Sequence, residues 1–143
     1  MTLTARLTLP VLIIVTVGLL ATGNLLSSSP WVIGIQVLAV ALAIWARTHF
    51  RSGQFSVQVE PQPGPLLSAG PYRLIRHPMY AAASLLIGSS VVGHPSPLTV
   101  GVSVLVAILV TLRIVAEERF LREHFAEYSA YASATKRIIP FVF

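Results

Sequence analysis

The sequence is poor in charge and lacks two residue types completely. Only 10% of its 143 residues are charged, against roughly 25% in an ordinary soluble domain. Cysteine is absent, which excludes disulfides, thiolate nucleophiles and cysteine-based metal sites. Aspartate is absent as well, so all acidic side chains belong to five glutamates: Glu60, Glu117, Glu118, Glu123 and Glu127.

The few charges are unevenly distributed along the chain. Residues 7–46 and 77–112 contain no Asp, Glu, Lys or Arg. A soluble domain needs a charged surface, and these two segments cannot supply one. Since the length suits one domain, the pattern predicts a single integral membrane domain over residues 1–143.

Each charge-free segment contains one break, which predicts an all-α fold of four transmembrane helices in two hairpins. The breaks are Ser27-Ser28-Ser29-Pro30 and Gly93-His94-Pro95-Ser96-Pro97. Ser29 suits a helix N-cap and Pro30 a first helical turn. The predicted helices cover residues 7–26, 30–46, 78–92 and 97–125. The last one continues as an amphipathic C-terminal helix, with Glu118/Arg122 and Arg119/Glu123 at (i, i+4) spacing.

A cleaved signal peptide over residues 1–23 is the alternative interpretation of the first helix. Residues 21–24, Ala-Thr-Gly-Asn, form a poor cleavage site, and a second apolar segment follows at once. The sequence therefore favours a retained helix.

All Lys and Arg residues fall on one predicted side of the membrane. The turns at 27–30 and 93–97 contain none; the N-terminus, residues 47–76 and the C-terminal segment contain all ten. The positive-inside rule therefore predicts cytoplasmic termini, a cytoplasmic middle segment and a site on that face. These cations border apolar segments without interleaved aromatic residues, which argues against nucleic acid as a partner and for membrane lipids.

Two polar clusters mark the candidate site. The first, residues 70–80 (GPYRLIRHPMY), ends a proline-rich segment, 47–76, that we expect to be an irregular loop. In the second, Arg113 and Glu117 lie four residues apart on one helix face, while Glu118 points about 100° away, toward Arg122. Taken alone, the first cluster also fits an interfacial anchor in which His77 caps the next helix, and the second also fits a solvated charge run.

Several other kinds of site are excluded by missing motifs. The sequence contains no GxGxxG or GxxxxGK[ST] for phosphates, no GxSxG for acyl transfer, no HExxH for zinc and no Glu-x-x-His pair for a diiron centre. His94 lies in the outer turn, where we expect it to have no partner. We predict no metal site.

The two clusters resemble the membrane methyltransferases of the isoprenylcysteine carboxyl methyltransferase type, a superfamily that also includes phospholipid N-methyltransferases. Residues 70–80 are similar to its G-P-Y-R-x-x-R-H-P-x-Y signature. Residues 113–140 are similar to its R-I-x-x-E-E, Y-x-x-Y and R-x-I-P pattern. The resemblance covers residues 45–143. The sequence departs from the family at Ala82 and Ala126, which replace common glycines, and at Ala134, where many members carry arginine.

This resemblance implies a methyltransferase that uses S-adenosylmethionine and a lipophilic acceptor that enters from the bilayer. It implies that Arg113 holds the acceptor's anionic group and that Glu117 binds the cofactor's ammonium group or ribose. The other implied cofactor-binding residues are Leu66, Leu67, Tyr72, His77, Pro78, Met79 and Tyr80. The chemistry suits such a site because the sulfonium already activates the methyl group, so the protein has to align the reactants and exclude water.

The acceptor itself stays open at the level of sequence. The signature implies a prenylcysteine carboxyl group, against which Ala134 argues. A phospholipid or a small thiol on the same scaffold is the alternative. Among other classes of protein, a four-helix transporter would need an ionisable residue deep within a span, and the sequence places none there. A purely structural membrane protein is the last alternative.

Overall fold

The computed structural model describes residues 3–49 and 66–139 and contains helices but no strands within those ranges. The four long helices are α1 (Leu3–Ala21), α2 (Pro30–Thr48), α3 (Pro78–Gly93) and α4 (Pro97–His124). A 3-10 turn, Gly70–Arg73, precedes α3, and a short helix, α5 (Tyr128–Ala134), follows α4. All four predicted segments are thus helical, and α1 differs from its predicted range, 7–26, at both ends. Of the predicted loop 47–76, residues 47–48 belong to α2, and residues 50–65 lie outside the described residues.

The first helix ends at Ala21 and not at the predicted residue 26. Gly23 adopts a φ of 70°. The amides of Gly23 and Asn24 donate to the carbonyls of Leu20 and Leu19, at 3.1 and 2.8 Å. This is the Schellman arrangement, in which a left-handed glycine terminates a helix. Residues 22–29 therefore form the connection to α2.

Prolines open three of the helices, at the three starts that the sequence predicted. Pro30, Pro78 and Pro97 all lie in first turns. Ser29 and His77 occupy the N-cap positions of α2 and α3, but neither side chain makes a capping hydrogen bond. The predicted capping by His77 is therefore wrong for its side chain, because the imidazole turns toward other partners.

The helices do not pair as two separate hairpins. α2 packs mainly against α3, while α1 and α3 both pack against α4. Within the described residues, α1 and α2 make few contacts with each other. The hydrophobic core accordingly combines side chains of α1, α3, α4 and the first connection: Leu12, Leu19, Leu25, Ile87, Val106, Val110 and Ile114.

Two helices, α2 and α4, are long and apolar enough to cross a membrane. Only 17% of the apolar window of α2 and 28% of that of α4 is buried in the protein. The core helix of a soluble protein would be mostly buried, so this exposure fits contact with lipid. α3 and residues 7–21 of α1 are apolar but shorter. Four spans and their orientation remain predictions.

The uncharged end of the bundle is held together by polar contacts between its two turns. His94 Nε2 lies 2.6 Å from the carbonyl oxygen of Leu26. The expectation that His94 has no partner is therefore wrong, because the early end of α1 lets the first connection reach the second turn. Gln36 of α2 adds two bonds: its Nε2 donates to the carbonyl of Leu25 at 2.7 Å and to Ser89 Oγ at 3.1 Å. The charged residues described below lie at the opposite end.

Candidate active site

The two polar clusters identified in the sequence meet at the end of the bundle where α3 begins. The 3-10 turn leads into α3, which carries Tyr80 in its first turn, and His77 immediately precedes that helix. Facing them are three residues in the C-terminal half of α4: Arg113, Glu117 and Glu118. The two clusters are therefore in direct contact.

Glu117 is held by one tyrosine and one arginine. The Tyr80 hydroxyl donates to Glu117 Oε1 at 2.6 Å. Arg113 Nε lies 2.9 Å from the same oxygen and 2.5 Å from the phenol oxygen of Tyr80. The Arg113 side chain is only 2% exposed, whereas that of Glu117 is 20% exposed. Glu117 is thus a fixed carboxylate that a cationic or hydroxyl-bearing ligand can reach.

Glu118 is a buried ion-pair centre and not a member of a solvated charge run. Its side chain is 1% exposed, and Arg76 Nε lies 2.7 Å from its Oε1. Arg137 Nε and Arg122 Nη2 lie 3.2 and 3.3 Å from its Oε2. The predicted pair with Arg122 is present, but the expectation of an exposed glutamate is wrong because residues distant in sequence fold over it. An uncompensated buried carboxylate would be costly, and these guanidinium groups compensate it.

His77 lies between the two carboxylates. Its Nδ1 is 3.7 Å from Glu117 Oε2, and its Nε2 is 3.4 Å from Glu118 Oε1. The buried imidazole stacks on the ring of Tyr80, with 5.8 Å between centroids. Among the described residues, Nε2 has no hydrogen bond of good geometry. Because both ring nitrogens face carboxylates, the buried imidazole connects the site of Glu117 to the network around Glu118.

Arg76 also fastens the C-terminal segment to the site. Its Nη1 donates to the carbonyls of Ala132, at 2.8 Å, and of Thr135. The amides of Arg76 and His77 donate to the carbonyls of residues 136 and 137, at 2.7 and 3.0 Å. This backbone pairing holds the segment after α5 beside the start of α3, so that Arg137 reaches Glu118.

Three tyrosines beside the ion pairs are neutral phenols at physiological pH. Burial raises the pKa of Tyr128 to about 12, with a further contribution from the charge of Glu118. Burial also raises the pKa of Tyr72 and of Tyr131 well above the ordinary value. The Tyr131 hydroxyl donates to the carbonyl of Tyr72 at 2.7 Å. These phenols can therefore donate hydrogen bonds but cannot act as bases.

The structure separates the predicted site residues into two groups. Arg113, Glu117, Tyr80 and His77 form one contact network. Of the other predicted residues, Tyr72 and Pro78 are buried, and Leu66, Leu67 and Met79 are half-buried. Their role at the site stays a prediction. Sequence reasoning missed that Arg76, Glu118 and Arg137 form a second network. Their positions inside the two quoted motifs were a signal, but the motifs do not state which residues touch.

The fold and the site together are typical of an enzyme that works at a membrane: apolar helices open to lipid and a charged site at one end of the bundle. Residues 31–128 match the family described as Phospholipid methyltransferase. Since this is more than half of the chain, the chain belongs to the phospholipid methyltransferase family, and membership implies a methyltransferase associated with membranes. This agrees with the expected superfamily, although the isoprenylcysteine carboxyl methyltransferase type itself is not shown.

One curated relative adds to this comparison. The "Cobalt-zinc-cadmium resistance protein CzcN" of Cupriavidus metallidurans is 28% identical over 117 residues, which are 78% of this chain and 50% of that protein. The chain thus spans about half the length of the relative it matches. No solved structure matches the chain. Within the part of the chain that the structure describes, no group of three or more histidine or acidic residues could hold a metal ion.

Proposed function

We propose that the chain is an S-adenosylmethionine-dependent methyltransferase that acts on a lipophilic acceptor at the cytoplasmic face of a membrane. The family supports methyl transfer and favours a phospholipid over a prenylcysteine carboxyl group as the acceptor. The observation that carries the proposal is the geometry of Glu117, a carboxylate that Tyr80 and Arg113 fix in place and that is still 20% exposed to a ligand.

The donor set at this site fits the proposed cofactor. Glu117 offers a negative charge for an ammonium group or for ribose hydroxyls. His77 lies beside it, with Nδ1 3.7 Å from Glu117 Oε2. Tyr72 and four half-buried residues would surround the adenosine: Leu66, Leu67, Met79 and Tyr80. Pro78 would fix the turn between them and α3. When bound, the cofactor supplies an activated methyl group.

The contribution of the chain is then mainly positional. Tyr80 and Arg113 hold one oxygen of Glu117 from two sides, which fixes the carboxylate before a ligand arrives. Such preorganisation lowers the cost of aligning reactants, and the buried aromatic rings beside it exclude water. The site thereby performs the two tasks that transfer of an activated methyl group requires.

Arg113 is the residue proposed to hold the acceptor's anionic group, which in a phospholipid is a phosphate. A guanidinium suits phosphate because it donates several hydrogen bonds in one plane. In the structure this side chain is 2% exposed and contacts Glu117 and Tyr80 through Nε. An acceptor that reached Arg113 from beside Glu117 would lie next to the cofactor.

Calorimetric titration with S-adenosylhomocysteine tests this function. We expect the purified protein to bind it, and Glu117→Gln to weaken binding by about tenfold or more, the effect of one hydrogen bond to a charged group. Glu123→Gln is the matched control. Glu123 is 60% exposed, and within the described residues its ion pair is with Arg119, at 3.6 Å. Absence of binding by the folded wild-type protein would refute the proposal.

A further inference from the structure

The segment that follows α5 is docked on the bundle at two places. Residues 135–139 are called here the C-terminal strap. Ile138 of the strap packs against the hydrophobic core that α1, α3 and α4 share. The amide of Lys136 donates to the carbonyl of Leu74 at 3.1 Å, and Ile75 forms a parallel bridge with Lys136. The strap therefore has a defined position beside the start of α3.

Arg137 of the strap contacts the surroundings of His77 through two separate groups. Its main-chain carbonyl accepts a hydrogen bond from the amide of His77 at 3.0 Å. Its Nε lies 3.2 Å from Oε2 of Glu118, and the other oxygen of that carboxylate, Oε1, lies 3.4 Å from Nε2 of His77. One residue of the strap thus holds both the backbone of His77 and the carboxylate beside its ring.

The imidazole of His77 is in turn the connection to Glu117. Its Nδ1 lies 3.7 Å from Glu117 Oε2, and its ring stacks on Tyr80, whose hydroxyl donates to the other oxygen of Glu117 at 2.6 Å. A neutral imidazole has one N–H and can donate it to only one of two carboxylates. Since three guanidinium groups already lie on Glu118, the N–H is left for Glu117.

We propose that Arg137 is a positioning residue of the active site, which acts through Glu118 and His77 to hold Glu117 ready for the cofactor. Docking of the strap and ligand binding at Glu117 then stabilise each other, because both require His77 in the observed position. The inference rests on the proposed function in taking the cofactor as the ligand of Glu117. The effect of Arg137 on His77 can be measured without any ligand.

Arg122 provides the matched comparison, because it lies on the same oxygen of Glu118. Its Nη2 is 3.3 Å from Oε2, against 3.2 Å for Nε of Arg137. Arg122 belongs to α4 and not to the strap. If Arg137 only compensates the buried charge of Glu118, the two Arg→Gln variants should behave alike. If Arg137 positions His77, the loss of Arg137 should disturb the site far more.

NMR of the His77 ring tests the first step of the proposal in the ligand-free protein. The sequence has four histidines, so in detergent-solubilised protein with 15N-labelled histidine the His77→Gln variant identifies the signals of His77. We expect Arg137→Gln to shift both ring-nitrogen signals and Arg122→Gln to leave them near their wild-type values. Arg137→Lys, which keeps the positive charge, should lie between wild type and Arg137→Gln.

Titration with S-adenosylhomocysteine tests the second step. We expect Arg137→Gln to weaken binding by about fivefold, the effect of one hydrogen bond of ordinary strength. Arg122, which is 47% exposed, should change binding by less than about twofold when replaced by Gln. Coupling is reciprocal, so in the wild-type protein the bound ligand should slow deuterium exchange at the amides of His77 and Lys136, which hold the strap.

Unchanged His77 signals in Arg137→Gln would overturn the proposal whether or not the protein binds S-adenosylhomocysteine. Equal losses of affinity in Arg137→Gln and Arg122→Gln would overturn it too, as would a bound ligand that leaves exchange of the strap amides unchanged. Absence of binding by the wild-type protein would instead refute the proposed function, and the NMR comparison would still decide whether Arg137 positions His77. If Arg137→Gln does not fold, Arg137→Lys is compared with Arg122→Lys, and only the first should shift the His77 signals.

Discussion

Glu117 and Glu118 are adjacent in sequence but lie in different electrostatic surroundings. Glu117 has one arginine and a tyrosine and is partly exposed, while Glu118 has three arginines and is almost fully buried. A ligand can therefore approach Glu117 without breaking the network around Glu118. We therefore propose ligand binding for Glu117 and a stabilising role for Glu118.

Replacement of Glu118 should destabilise the fold. Glu118→Gln leaves Arg76, which is 9% exposed, without its carboxylate, and removal of one partner of a buried ion pair costs about 3 kcal/mol. We expect a clear drop in the thermal unfolding midpoint in detergent. Glu123→Gln removes an exposed contact worth about 0.5 kcal/mol or less and serves as the control. Equal shifts in the two variants would show that Glu118 does not support the fold.

Substitution of Arg113 should lower methyl transfer whether it removes the positive charge or only changes the shape of the side chain. Arg113→Lys keeps the charge but has no Nε–H to donate to Tyr80 and Glu117 together. We expect Arg113→Ala to lower methyl transfer to phosphatidylethanolamine by about 10² and Arg113→Lys by a similar order, because alignment is lost in both. Cofactor affinity should also fall, since Glu117 loses a partner.

The control for Arg113 is Arg119→Lys, a change at an exposed position that should be silent. Full activity of Arg113→Lys would show that Arg113 only anchors α4 at the membrane interface. A prenylcysteine analogue assayed beside phosphatidylethanolamine decides between the two acceptors. Transfer only to the prenylcysteine analogue would contradict the choice of a phospholipid.

At the scale of elements, the site depends on how the 3-10 turn packs against the end of α2. Gly70 opens this turn with a φ of 58°. A Cβ at this position would lie 2.3 Å from Nε2 of His49. The His49 ring is itself held by the carbonyl of Trp45, 2.9 Å from Nδ1. Glycine is thus required here both for its backbone conformation and for the close approach of a ring.

Gly70→Ala should therefore lower stability for two reasons that can be separated. The left-handed backbone costs a non-glycine residue about 1 kcal/mol or more, and the clash with His49 adds to it. We expect Gly70→Ala to lower stability less when it is introduced into a His49→Ala background than when it is introduced into the wild-type protein. Gly101→Ala in α4, where nothing lies within 4 Å, is the control. Unchanged unfolding of Gly70→Ala would contradict this account.

At the scale of the whole molecule, the charged side chains that the structure describes lie at one end of the bundle. The opposite end contains the two uncharged turns, joined through His94 and Leu26. The positive-inside rule then orients the active-site end toward the cytoplasm. We expect a reporter fused after Phe143, and one inserted near Gly64, both to report a cytoplasmic location.

Reporter pairs that respond in opposite compartments, such as alkaline phosphatase and a fluorescent protein, measure this orientation. An insertion at Pro95, in the outer turn, is the matched control and should give the opposite signal. A non-cytoplasmic signal at either Gly64 or Phe143 would contradict the four-span topology.

The sequence alone determined the four helices, because the properties that specify them are local. Charge-free segments set where helices form, and prolines at 30, 78 and 97 set where three of them begin. The end of α1 was missed because Gly23 was not recognised as a left-handed cap. The motifs around His77 and Glu117 also indicated the correct superfamily.

Only the tertiary structure decided which charged residues contact each other. Glu118 pairs with Arg76 across 42 positions and with Arg137 across 19. Helical spacing predicts contacts three or four residues apart, so it identified Arg122 as a partner and treated Glu118 as exposed. Burial of this carboxylate and the place of His77 between two glutamates depend on α3, α4 and the C-terminal segment meeting at one point. That meeting is a property of packing and cannot be read from any local pattern.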